Sequence, residues 1–71
     1  MERNAKLLLK IGNNIRKFRN KKGISQQVLA DYSEIAKSTL QRIEKGELNP
    51  SILIIIKISQ ILEINITDIT N

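Results

Sequence analysis

Residues 25–51, SQQVLADYSEIAKSTLQRIEKGELNPS, hold two short amphipathic segments with a turn between them. Ser25 is a good helix N-cap, because a serine hydroxyl can accept from the otherwise unpartnered N–H groups of a first helical turn. Val28, Leu29 and Tyr32 follow it as the apolar residues of a short helix ending near Ser33. Ile35, Leu40 and Ile43 give the next apolar stripe, which runs from about Ala36 to Lys45 and is closed by Gly46, a residue suited to a helix C-terminus. The connection between the two helices is then a turn of about three residues.

Working outward, Leu8, Ile11, Ile15 and Phe18 recur at spacings of three and four, so residues 4–21 read as one amphipathic helix that Gly23 stops. Gly12 inside that pattern costs roughly 1 kcal/mol against alanine. On the other side, Asn49-Pro50-Ser51 offers a cap for a fourth helix, residues 51–62. The β-branched run from Ile52 to Ile58 alone would permit a strand, but its length, caps and helical context favour a helix. Asn65 with Asp68 three positions later resembles a capping box and opens a short fifth helix, residues 66–70. The helices 4–21, 25–33, 36–45, 51–62 and 66–70 make an all-α, compact five-helix bundle, a single domain over residues 1–71. No repeat, linker or low-complexity segment interrupts it.

Composition narrows the function. The chain has 71 residues with neither cysteine nor histidine, so disulfides and the usual zinc ligand sets are excluded. The commonest general base and the thiol nucleophile are missing too, which argues against an enzyme; no cofactor, metal or small-molecule substrate is expected. The apolar run from Ile52 to Ile66 is broken by Lys57, Ser59, Gln60, Glu63 and Asn65, short of the ~20 apolar residues that span a bilayer. With no signal peptide visible, a cytoplasmic protein is expected. The net charge of +5 is unevenly placed: residues 1–24 carry eight basic groups against Glu2, whereas residues 25–48 and 49–71 are each slightly acidic. That asymmetry points to an acidic partner, nucleic acid ahead of membrane, against the plain alternative of a solvated helix face.

Two short helices about a tight turn, the second polar on its outer face, form the helix-turn-helix pattern. Ser25-Gln26-x-x-Leu29-Ala30, then Ile35-x-Lys37-Ser38-Thr39-Leu40-x-Arg42-Ile43-Glu44-x-Gly46, then Asn49-Pro50-Ser51 closely resembles the phage-repressor-like family of lambda-type repressors, Cro proteins and xenobiotic-response-element-type bacterial regulators. The resemblance covers residues 11–70. It implies a lambda-repressor-like domain that places its third helix in the major groove of double-stranded DNA.

On that helix Lys37, Ser38, Gln41 and Arg42 project away from Ile35, Leu40 and Ile43 and are the expected base contacts. Arginine and lysine suit guanine acceptors, glutamine suits adenine, and serine serves base or phosphate. Gln26, Thr39, Lys45, Asn49 and Arg19 are the expected phosphate contacts, Gln26 with help from the local helix N-terminus. The resemblance also implies a structural ion pair between Arg19 and Glu44, tying the first helix to the recognition helix. Ala30 stands where the two short helices cross, and only a small side chain is expected to fit. Two residues depart from the family pattern. Ala36 replaces the usual Ser or Thr cap, and Glu34 occupies a turn position that often carries Gly or Asn, so a longer or looser turn is expected.

If Ile52, Ile55, Ser59 and Leu62 face the core, then Leu53, Ile54, Ile61 and Ile64 are left over on the other side. Together with Ile69 they form the expected homodimer surface. The function that follows is a sequence-specific transcriptional regulator, bacterial or phage, repressing from an inverted-repeat operator as a homodimer. The rival is an antitoxin-like protein-interaction module that keeps the fold with weak or no DNA binding, and the positive charges of Lys37 and Arg42 argue against it.

Overall fold

The computed structural model describes residues 2–71, with side-chain surroundings from Asn4 onward; Met1 and the side chains of Glu2 and Arg3 lie outside the described residues. Five helices follow one another: α1 (Glu2–Lys22), α2 (Gln26–Ser33), α3 (Lys37–Glu44), α4 (Ile52–Leu62) and α5 (Ile66–Thr70). No strand occurs among the described residues, and none of their helices is long and apolar enough to cross a membrane.

Local chemistry sets the ends. The N–H of Gly23, at φ 78°, donates to the Arg19 and Asn20 carbonyls and closes α1. Ser25 Oγ accepts from Val28 N–H at 3.1 Å and Ser51 Oγ from Ile54 N–H at 3.2 Å, starting α2 and α4. At α5 the Asp68 carboxylate accepts from Asn65 N–H at 2.9 Å. Ala36 begins α3 without a side-chain cap.

The turn between α2 and α3 is not lengthened. It keeps three residues, Glu34 to Ala36, because Glu34 itself takes the left-handed conformation, φ 61°, that a glycine would take more easily. Ile35 N–H then reaches back to the Ala30 carbonyl at 3.0 Å. The side chain of Glu34 pairs with Lys57 of α4 at 3.0 Å. Glu63 ends α4 in the same left-handed way and pairs with Lys22 of α1.

The core is built from Ile15, Leu29, Leu40, Ile43, Ile58 and Ile69, all essentially inaccessible, with Ala30 buried where α2 and α3 meet. Gly12 is a point of contact rather than a weak spot. A β-carbon there would collide with the carbonyl oxygens of Ile43 and Glu44, so α1 lies directly on the C-terminal end of α3. Asn14 ties the same helix to α5 by donating to the Ile69 carbonyl at 2.8 Å.

Helix α4 corrects the expected dimer surface. Its buried residues are Ile55, Ile58, Ser59 and Leu62, an inward direction turned by roughly 30° from the expected stripe and centred near Leu62. The apolar face of a core helix is broad, so Ile54 and Ile61 fall on its flanks and pack against the core, as does Ile64. Ile69 is 0% exposed and therefore cannot face a partner. Of the five residues expected at a dimer surface only Leu53 is well exposed. Ile52, expected inside, joins it, because it sits at the edge of the inward face on the first turn.

Candidate nucleic-acid interface

Helix α3 divides its residues cleanly. Leu40, Ile43 and Glu44 are buried, while Lys37, Ser38 and Arg42 are exposed and Gln41 and Thr39 are half-buried. The outer face thus carries two cations, a hydroxyl and an amide on one rigid surface, the donor and acceptor types that read base edges. Lys45 and Asn49 lie exposed in the segment after the helix.

Behind this face sits a polar cluster that orients it. Arg19 Nε donates to Glu44 Oε2 at 2.7 Å and Nη2 donates to Oε1 at 3.1 Å, a two-point grip between α1 and α3. Nη1 donates to the Ile24 carbonyl at 3.0 Å, and Gln26 Nε2 to Glu44 Oε1, also at 3.0 Å. Glu44 is 2% exposed and Arg19 11%. Three helices therefore meet on one carboxylate. Three of the five N–H donors of Arg19 are engaged inside the protein, two of them in the expected ion pair between α1 and α3. Gln26 is held with its amide nitrogen toward Glu44, at the start of α2 and beside α3.

Sequence reasoning misses two supports of this arrangement. Gly12 seats α1 against α3, and its signal is a glycine standing beside an otherwise well-formed apolar stripe, which marks close backbone approach. Gly46, at φ 75°, lies against Leu9 of α1, so the segment carrying Lys45 and Asn49 is braced by the first helix. Among the described residues no group of carboxylates gathers into a metal site.

A family profile described as "Helix-turn-helix" matches residues 15–69. The regulator SlrR of Bacillus subtilis is 42% identical over 60 residues, covering 83% of this chain and 40% of SlrR. An uncharacterized HTH-type transcriptional regulator of Archaeoglobus fulgidus is 36% identical over 55 residues, covering 78% of this chain and 79% of that protein. The chain spans 56%, 40% and 51% of SinR from Bacillus licheniformis, SlrR, and SinR from Bacillus subtilis. Among solved structures, the restriction-modification controller protein C.AhdI of Aeromonas hydrophila superposes with a TM-score of 0.84 at 34% identity, covering 87% of this chain and 94% of that one. The clp gene regulator ClgR of Corynebacterium glutamicum superposes at 0.86 with 25% identity, covering 89% of this chain and 67% of that one. With the two-helix unit, the polar outer face of α3 and a match over most of its length, this chain belongs to the helix-turn-helix family of DNA-binding transcription regulators.

Proposed function

We propose that this chain binds a specific double-stranded DNA site through α3 and represses transcription from it as a cytoplasmic homodimer, without a cofactor. The observation that carries this reading is the split of α3, with Lys37, Ser38 and Arg42 exposed on one side and Glu44 locked by Arg19 and Gln26 on the other. A helix fixed in that way presents its outer side chains to the major groove at one orientation. Arg42 and Lys37 then read guanine and Gln41 adenine, with Ser38 on a base or an adjacent phosphate. Lys45, Asn49, Thr39 and the start of α2 at Gln26 meet the backbone and set the register.

One recognition helix covers few base pairs, so discrimination against genomic DNA calls for two half-sites and a two-fold dimer. Ile52 and Leu53, 67% and 58% exposed at the start of α4, are the proposed contact between subunits.

Selection of bound duplexes from a random pool tests the reading directly. An inverted repeat is expected, and Arg42→Ala is expected to cost about 1–3 kcal/mol on it and relax preference at one position. Lys45→Ala should weaken all sequences alike. Absence of duplex binding at low salt would replace this function with the protein-interaction reading. Equal losses on selected and random duplexes for Arg42→Ala would move that residue to the phosphate contacts.

A further inference from the structure

A second surface lies away from α3. Between α2 and α4 runs a groove of about 440 Å³ floored by Ile24, Val28 and Ile61, with Tyr32 on its wall. Next to it is a smaller hollow of about 240 Å³ formed by Phe18, Leu62 and Ile64. Lys22 borders both, so the two hollows form one belt crossed by the exposed Lys22–Glu63 pair. Tyr32 is 72% exposed, the highest fraction among the exposed large hydrophobic residues described. Val28 and Tyr32 stand about 120–160° around α2 from Gln26, which bonds to Glu44 of α3, and from the buried Ala30. A partner on this belt would leave the α3 face free.

We propose that the belt docks an acidic amphipathic segment of a partner protein, its apolar side chains in the two hollows and its carboxylates on the lysine rim. The rim carries the charge for this. Lys17 and Lys21 sit over the Phe18 ring at 4.9 and 6.0 Å from its centre, and neither has a carboxylate within salt-bridge distance among the described residues. Glu63, the acidic group that crosses the belt, is largely solvent-exposed in its pairing with Lys22, so an incoming carboxylate can take its place at little cost. Phosphates of a duplex would meet the lysines but leave the apolar hollows empty. A second copy would bring Leu7 and Leu9, flanked by Lys6 and Lys10, or Ile52 and Leu53, with no acidic residue beside them in sequence, or Ile66, a lone apolar side chain two residues before Asp68, or the belt itself, whose lysines would face one another. None of these sets apolar side chains for both hollows beside carboxylates for the rim, whereas an acidic segment with interleaved apolar residues does.

The experiment pans a phage-displayed library of random short peptides against the intact chain. The enriched peptide is then measured by fluorescence anisotropy against the unmodified protein, Tyr32→Ala and Lys21→Glu. Acidic residues interleaved with Leu, Ile or Phe should be enriched. Each substitution should weaken binding by about tenfold or more, with melting temperature and operator affinity unchanged. Amide shifts on adding the peptide should centre on Lys22, Val28, Tyr32 and Ile61. Enrichment without that pattern, binding indifferent to both substitutions, or shifts on α3 or at Ile52 would overturn the proposal. So would shifts at Val28 and Tyr32 that grow with protein concentration alone, which would assign the belt to a second copy, or the same shifts on adding random-sequence duplex. Because the readout is peptide binding, it stands or falls separately from DNA recognition by α3.

Discussion

At the scale of single residues, Gly12 and Ser33 show opposite kinds of constraint. Gly12 has no room for a methyl group because two backbone carbonyls of α3 close the space, and backbone cannot swing aside as a long side chain can. Gly12→Ala therefore has to push α1 from α3, an overpacking cost of about 1–3 kcal/mol despite alanine's better helix propensity. In thermal unfolding the midpoint should fall by about 5 °C or more; an unchanged or raised midpoint would refute the close seat. Ser33 is fully buried and its hydroxyl has no hydrogen-bond partner among the described residues. A buried hydroxyl without a partner loses its hydration and regains nothing, so Ser33→Ala should stabilise the fold by about 1 kcal/mol. A drop in denaturation midpoint for Ser33→Ala would show that the hydroxyl is bonded in solution. The left-handed Glu34 and the bare cap Ala36 are further local costs, and both lie in the turn ahead of the recognition helix.

At the scale of elements, α3 is held less by its own ends than by its neighbours. It has no side-chain N-cap and eight residues, too few for an isolated helix to persist in water. What fixes it is burial of Leu40 and Ile43 and the convergence of Arg19 and Gln26 on Glu44. Glu44→Ala should then cost about 3 kcal/mol or more, since it leaves Arg19 partly buried without its counter-charge. The double change Arg19→Met with Glu44→Leu should recover much of that loss, because no charge is stranded. Melting temperatures of the two variants decide the matter: equal values would mean that the pair is not what holds α3. The helices themselves are legible in the sequence because serine caps, terminal glycines and apolar spacing are local signals acting within one turn. The facing of α4 is not legible in the same way. Its eleven residues include eight isoleucines and leucines and one lysine, so the pattern hardly distinguishes one azimuth from another, and packing against α1, α2 and α5 settles it. The polar face of α3 is easier to read, because Lys37, Ser38, Gln41 and Arg42 contrast sharply with Leu40 and Ile43. Arg19 divides differently: its residue type fits either a phosphate or a carboxylate, the resemblance implies Glu44 as its partner, and the fold places the two 2.7 Å apart.

At the scale of the whole molecule, the proposed DNA contact and the proposed dimer make separate predictions. If three to five phosphates are neutralised per subunit, the logarithm of affinity should fall against the logarithm of salt with a slope of roughly −3 to −5, at about 0.9 per phosphate. A flat titration would remove the backbone contacts assigned to Lys45 and its neighbours. The dimer has a sharper test, because the residues that the sequence pattern singles out and those that the structure exposes are different. Lysine at Ile54 or Ile61 would intrude on the core and unfold the chain, so loss of binding there would say nothing about assembly. Ile52→Lys with Leu53→Lys changes two exposed positions and should leave the melting temperature nearly unchanged. In sedimentation the unmodified chain should be a dimer at micromolar concentration and the double variant a monomer. On DNA, the variant's affinity for the full inverted repeat should collapse toward its affinity for a half-site, while half-site binding persists. The half-site centres should lie about 34–36 Å apart, one turn of duplex, so inserting roughly five base pairs between them should abolish cooperative binding by the unmodified protein. A monomeric unmodified chain, or full-site binding that survives both lysines, would take the dimer contact away from the start of α4 and leave the α3 face untouched.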